Sequence, residues 1–206
     1  MATGQTETRD GRRAGLVAEA TAVLAERGVE ATRFSDVAER AGVSVGLLQH
    51  YFRSRDALID AAIEAVAVRK FDRLARAQRD IHDPWELIEA AIEEILASDD
   101  PIGDARSWLD VCSAAAQRPN LGAAIERVQQ RWVTLIEGAV VAGASRGDLH
   151  PAMSPRAVAR VVNALIDGME LALASEGGTR ADAEAACELT KRAAWRLIGG
   201  AGDPPG

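Results

Sequence analysis

Lysine occurs only at Lys70 and Lys191, cysteine only at Cys112 and Cys187, tyrosine once and histidine three times. Each scarcity removes a class of explanation. Two cysteines far apart in sequence cannot build a disulfide framework or a four-ligand zinc site, so reduced thiols in the cytosol are expected. No apolar run approaches the roughly 20 residues needed to span a bilayer. The polar opening MATGQTETRDGRR lacks the apolar centre of a secretory signal, so a cytoplasmic protein without a membrane partner is expected. His50, His82 and His150 are scattered, and neither HExxH nor a phosphate-cradling glycine loop occurs. Little therefore supports an enzyme, and no cofactor is expected.

What the chain holds in quantity points to helices. Alanine is abundant, β-branched runs are short, and apolar residues recur at helical rather than alternating spacing. The expected fold class is all-α. A length of 206 residues accommodates one small and one larger helical domain around a shared long helix. That helix runs from residue 55 toward Arg79 and carries Leu58, Ile59, Ala62, Val66 and Leu74. Further on, Asp83-Pro84, Asp100-Pro101 and Ser154-Pro155 each set a capping side chain before a first-turn proline, with Asn120 and Thr179 as further caps. Gly147, Pro151 and Gly177-Gly178 punctuate the later helices.

The most specific signal is FSDVAERAGVSVGLLQHYFR, from Phe34 to Arg53. Two helices crossing through a tight turn need a small residue where their backbones approach, and Ala38 supplies it. Gly42 takes the positive φ that such a turn demands without steric cost. Ser44 can cap the next helix, which starts at Val45. Val37, Ala41, Val43, Leu48 and Tyr51 are the positions that face inward if the two helices pack at this angle. The pattern is that of a DNA-reading helix-turn-helix.

The run from Arg12 to Leu58 resembles the DNA-binding domain of the TetR family of transcriptional regulators. Its landmarks are Gly28, Ala38, Ala41, Gly42, Val43, Ser44, Phe52, Arg55 and Leu58. Arg33 and Gln49 depart from the pattern, standing where the family carries a threonine and a tyrosine that touch phosphate. The resemblance implies a three-helix head over residues 11–55 after a flexible stretch, 1–10. A helical ligand-binding and dimerisation domain over 56–199 and a disordered tail, 200–206, would follow. It also implies that the helix from Val45 to Phe52 enters the major groove of a double-stranded operator, presenting Val45, Gly46, Leu47, Gln49 and His50. Gln49 has the donor and acceptor for adenine, Val45 or Leu47 the apolar surface for a thymine methyl, and His50 is assigned to phosphate. Arg12, Arg13, Arg33, Ser44, Tyr51 and Arg55 complete the expected DNA surface, with Arg55 reaching phosphate.

In the C-terminal part RSWLDVCSAAAQRPNL, GASRGDL and ALIDGMELAL are similar to the BetI-type group of the same family. This implies a homodimer joined by the last two helices, 155–174 and 180–198. The candidates for the interface are Val158, Val162, Leu165, Met169, Leu189, Ala193 and Ile198. On the first of these helices Arg160, Asn163, Asp167 and Glu170 recur at three-or-four spacing. A solvated face, pairs across a dimer and a pocket lining all fit that stripe. Trp108, Cys112 and Ala115 form an apolar stripe on an earlier helix, and Trp132 lies on the next. Core burial is the plain reading. The functional one is a cavity edged by Trp108, Cys112, Trp132, Asn163 and Asp167, suited to an amphipathic or cationic small-molecule effector.

A net charge of −7 fits a DNA partner only when divided along the chain. Residues 1–55 hold eight arginines against seven acids, a net +1, leaving −8 for the remainder. Phosphate attraction must then come from where the arginines lie. The expected function is a DNA-binding repressor released from a palindromic operator by a small molecule. An activator, a co-repressor-dependent regulator and a ligand-binding dimer without DNA reading are the alternatives.

Overall fold

Helix starts set the architecture. The computed structural model describes residues 8–77, 83–175, 177–200 and 204–205, and among them every regular element is helical. The order is α1 (Arg9–Ala31), α2 (Phe34–Ala41), α3 (Val45–Tyr51), α4 (Arg55–Ala77), α5 (Pro84–Leu96), α6 (Pro101–Ala115), α7 (Pro119–Arg146), α8 (Pro155–Ser175) and α9 (Arg180–Leu197). Asp83 accepts the Trp85 N–H at 2.6 Å, Asp100 the Gly103 N–H at 3.0 Å and Ser154 the Ala157 N–H at 3.3 Å. Thr179 and Asp182 cap each other's backbone ahead of α9. Asn120, expected as a cap, falls one residue inside α7, which begins at Pro119. Thr8 accepts the Gly11 N–H at 3.2 Å, so residues 9 and 10 are helical rather than part of a flexible start. Residues 1–7, the end of the long helix near Arg79, His82 and most of the expected tail lie outside the described residues.

Contacts divide the chain into two compact units. One holds the residues up to Arg69 together with Asp110–Ile125, and the other holds Lys70–Leu109 and everything from Glu126. None of the three boundaries, after Arg69, Leu109 and Ile125, coincides with residue 55. Most of α4 stays with the head because Leu58, Ile59 and Ala62 are buried to within about 1 % of full enclosure. The α6–α7 junction joins it through polar contacts. The Asp110 carboxylate accepts the Val29 N–H at 2.5 Å, and Arg118 pairs with Glu30 at 2.8 Å and Asp56 at 3.8 Å.

Within the head, α1 lays Leu16, Val17, Ala20, Val23 and Leu24 on a core shared with Val37, Ala38, Leu48 and Phe52. In the second unit α5, α8 and α9 pack on one another, burying Trp85, Ile88, Ile92, Val158, Val162 and Ile166. Lys191 is buried at this junction. Burial alone would weaken its hold on a proton, but Glu188, Glu93 and Glu89, at 2.7, 2.9 and 3.2 Å, override that and hold it above the ordinary lysine range.

Gly28 and Gly42 both adopt positive φ, 76° and 65°. At Gly42 an added Cβ meets open space, whereas at Gly28 it would lie 2.9 Å from the Asp110 carboxylate oxygen that holds Val29. In urea denaturation, Gly42→Ala should cost only the left-handed strain of about 1–2 kcal/mol. Gly28→Ala should cost more, and equal losses would show that Asp110 is not fixed.

Candidate nucleic-acid interface and ligand site

The reading head is built by two reciprocal backbone devices. Gly42 ends α2 in the left-handed region, sending its N–H back to Glu39 and the next N–H to Ala38. Ser44 then opens α3 by accepting the Leu47 N–H at 3.2 Å. Leu48 is fully buried, which turns Val45, Gly46, Gln49 and His50 to solvent with Leu47 half-exposed. Tyr51 is half-buried, its ring edge-on to His50 at 5.5 Å. Val37 lies in the core as expected of it, while Ala41 and Val43 are only partly covered.

Arginines sort into two groups. Arg40 bridges Glu19 at 3.1 Å and Glu26 at 2.7 Å, and Arg27 pairs with Asp36 at 3.0 Å, binding α2 to α1. Arg55 corrects the sequence expectation. Its guanidinium donates to the carbonyls of Thr32 (2.5 Å), Val29 and Glu30 (3.2 Å), and it also reaches Asp56 at 3.4 Å. These contacts take up most of its N–H donors, because the kink at Gly28 and the end of α1 leave carbonyls that must be satisfied. Arg9, Arg12, Arg13, Arg33 and Arg53 are exposed and make no ion pair among the described residues. Arg13 lies over the Phe52 ring at 5.0 Å. Arg33 stands at the start of α2, where its backbone N–H binds Asp36 at 3.0 Å. Arg53, directly after α3, was given no role by the sequence pattern, although its place beside the reading helix was a usable signal.

The polar stripe on α8 is divided. Arg160 faces solvent, Asn163 and Glu170 are buried, and Asp167 is half-buried between them. Asp167 gathers neutral donors from three helices. Trp108 Nε1 donates to Oδ1 at 3.2 Å, Gln129 Nε2 to Oδ1 and Oδ2 at 3.0 and 2.9 Å, and Asn163 Nδ2 to Oδ2 at 3.2 Å. Asn163 also donates to Gln129 Oε1. Burial raises the Asp167 carboxyl above its usual range, partly offset by the bonds from Gln129 and Trp108. Glu170 is pushed up to about 8, chiefly by burial, with Lys70 pulling it down and Asp167 and Asp104 adding to the rise. Lys70 is itself paired with Asp104 at 3.2 Å.

Trp108, Asn163 and Asp167 are thus brought together as the sequence suggested. Trp132 is buried with its ring 4.5 Å from that of Phe71. Cys112 is half-buried in the segment 110–125 that clusters with the head. Gln129 was missed in sequence, though it lies one helical turn before Trp132.

Three of the expected interface residues are corrected. Val158, Val162 and Ile198 have no exposed surface, because they fill their own chain's core. Leu165, Met169 and Ala193 are partly exposed, and Leu189 is 56 % exposed. Val161 and Leu171 join it as outward apolar side chains.

No helix among the described residues is long and apolar enough to cross a membrane. Residues 16–62 match the family model described as bacterial regulatory proteins, tetR family, and residues 84–199 match BetI-type transcriptional repressor, C-terminal. The HTH-type transcriptional regulator BetI of Cronobacter sakazakii is 28 % identical over 81 % of each chain. A TetR-family regulator structure from Rhodococcus sp. superposes with a TM-score of 0.80 at 22 % identity, covering 91 % of this chain and 98 % of that one. A regulator from Saccharomonospora viridis, solved in complex with choline, gives 0.74 at 22 % identity over 88 % and 94 %.

Two measurements test these assignments. Arg55→Ala should lower thermal stability while leaving the salt slope of DNA binding unchanged, whereas Arg12→Ala should flatten that slope by about one unit. The second concerns Glu170. Folded, it keeps its proton up to about pH 8, while an unfolded glutamate loses it near 4.5. This contribution to stability is therefore complete below the lower value and is lost as pH rises through the higher. Wild-type melting temperature should fall relative to that of Glu170→Gln across this window.

Proposed function

The chain belongs to the TetR family of transcriptional regulators, and from that premise we propose a homodimeric repressor released from a palindromic operator by an organic cation. The observation that carries the effector class is Asp167. It is a partly buried carboxylate whose partners, Trp108, Gln129 and Asn163, are all neutral, and no basic side chain pairs with it among the described residues. A carboxylate withdrawn from water without a counter-ion is costly, so a cation is the ligand best matched to it. Trp108 adds an aromatic neighbour whose face attracts quaternary ammonium groups. The choline bound by the Saccharomonospora viridis regulator supports the same class.

On the DNA side, Gln49 reads a base, Val45 and Leu47 offer apolar contact, and His50 with Arg12, Arg13, Arg33 and Arg53 meets phosphates. Val161, Leu165, Met169, Leu171, Leu189 and Ala193 form the dimer surface, and exposed Ala164 and Gly168 allow close approach of the second copy. Two recognition helices then meet half-sites roughly 34–36 Å apart. A cation that prefers the conformation with misplaced heads drains the DNA-competent population, a coupling of about 1–3 kcal/mol. We place the protein in the cytoplasm with its DNA.

Selection from random duplex DNA at fixed salt should enrich a palindrome, and millimolar choline should release it. Gln49→Ala should relax preference at one base pair per half-site by about 1–3 kcal/mol. A folded dimer that enriches nothing would remove the DNA assignment, and a palindrome indifferent to choline would remove the effector class.

A further inference from the structure

Glu170 is used by neither the fold nor the Asp167 network. It is 6 % exposed, on the inward face of α8 one turn from Asp167. Yet it makes no hydrogen bond or ion pair with any described residue. A carboxyl covered this far and given no partner is held in its neutral form. The charged groups that bear on it are Lys70 from α4, Asp104 from α6 and Asp167 from its own helix, while α7 contributes the neutral Gln129 to the neighbouring network. Lys70 already pairs with Asp104, so the surroundings carry one uncompensated negative charge, that of Asp167. A second carboxylate there is disfavoured, and an added cation reverses that balance.

We propose that Glu170 is the charge-selecting residue of the effector site: it is neutral while the site is empty and ionises when an organic cation lies against Asp167, so that binding expels a proton. The inference rests on the Asp167 cluster being the effector site. In the binding step the carboxylic O–H bond of Glu170 breaks, its electron pair stays on the carboxylate beside the cation, and the proton passes to bulk water. A neutral molecule of the same shape cannot offset the new charge and leaves Glu170 protonated. Preference for the cation over its neutral isostere therefore grows as pH rises. The elevated proton affinity given to Glu170 by burial places this exchange near neutrality.

The test is calorimetric titration of the full-length protein with choline, in two buffers of different ionisation enthalpy. The control ligand is the neutral isostere in which tert-butyl replaces trimethylammonium. Wild type should release close to one proton per choline below about pH 7, with affinity rising up to about tenfold per pH unit and levelling off above about pH 8. The isostere should bind with no proton release. Glu170→Gln should still bind choline through Asp167, with a flat profile. A flat wild-type profile, or an unchanged slope in the variant, overturns the proposal alone. Failure of choline and tetramethylammonium to bind at any pH overturns the effector reading with it. Infrared difference spectra of wild type give a check that needs no variant. A protonated-carboxyl band should vanish on choline addition, and its persistence in the saturated complex overturns the proposal.

Discussion

The head depends on how the kink at Gly28, inside the last turns of α1, is satisfied. There the backbone passes through positive φ at Gly28 and exposes carbonyls and an N–H that the helix cannot use. Arg55 of α4 donates to the carbonyls, and Asp110 of α6 accepts the Val29 N–H. Thr32 closes the turn by donating its hydroxyl to Gly28 O at 2.7 Å. Opposite charges thus hold opposite sides of one peptide segment. The position of α2 against α1 follows, and with it the direction in which α3 points.

This arrangement explains why some features were legible in the sequence and others were not. The turn at Gly42, the cap at Ser44 and the burial of Leu48 are local matters, decided by residues within a few positions of one another. The same holds for the helix starts at Pro84, Pro101 and Pro155. Arg55 was legible as a landmark of the family pattern but not in its role. Its carbonyl partners lie 23 to 26 positions away in sequence, and a charge pattern cannot distinguish a carbonyl from a phosphate.

The dimer helices show the same limit in another form. Apolar spacing identified α8 and α9, but both helices carry apolar residues on more than one face. Spacing alone could not say which face turns inward. Burial assigns Val158 and Val162 to the core and leaves Val161, Leu171 and Leu189 outside. The polar stripe was ambiguous for the complementary reason. Asn163 and Asp167 fit a wet face as well as a buried one until Gln129 is brought against both and Trp108 against Asp167.

The head contains no lysine, and the chain's two lysines are both mostly covered and ion-paired in the other unit. Every fixed side-chain cation available to DNA is therefore a guanidinium, which neither deprotonates at accessible pH nor undergoes acetylation. Enzymes that erase ammonium charge have no target on this surface. The guanidinium share of its attraction for phosphate is set once, at synthesis, and what remains adjustable there is the geometry in which that charge is presented.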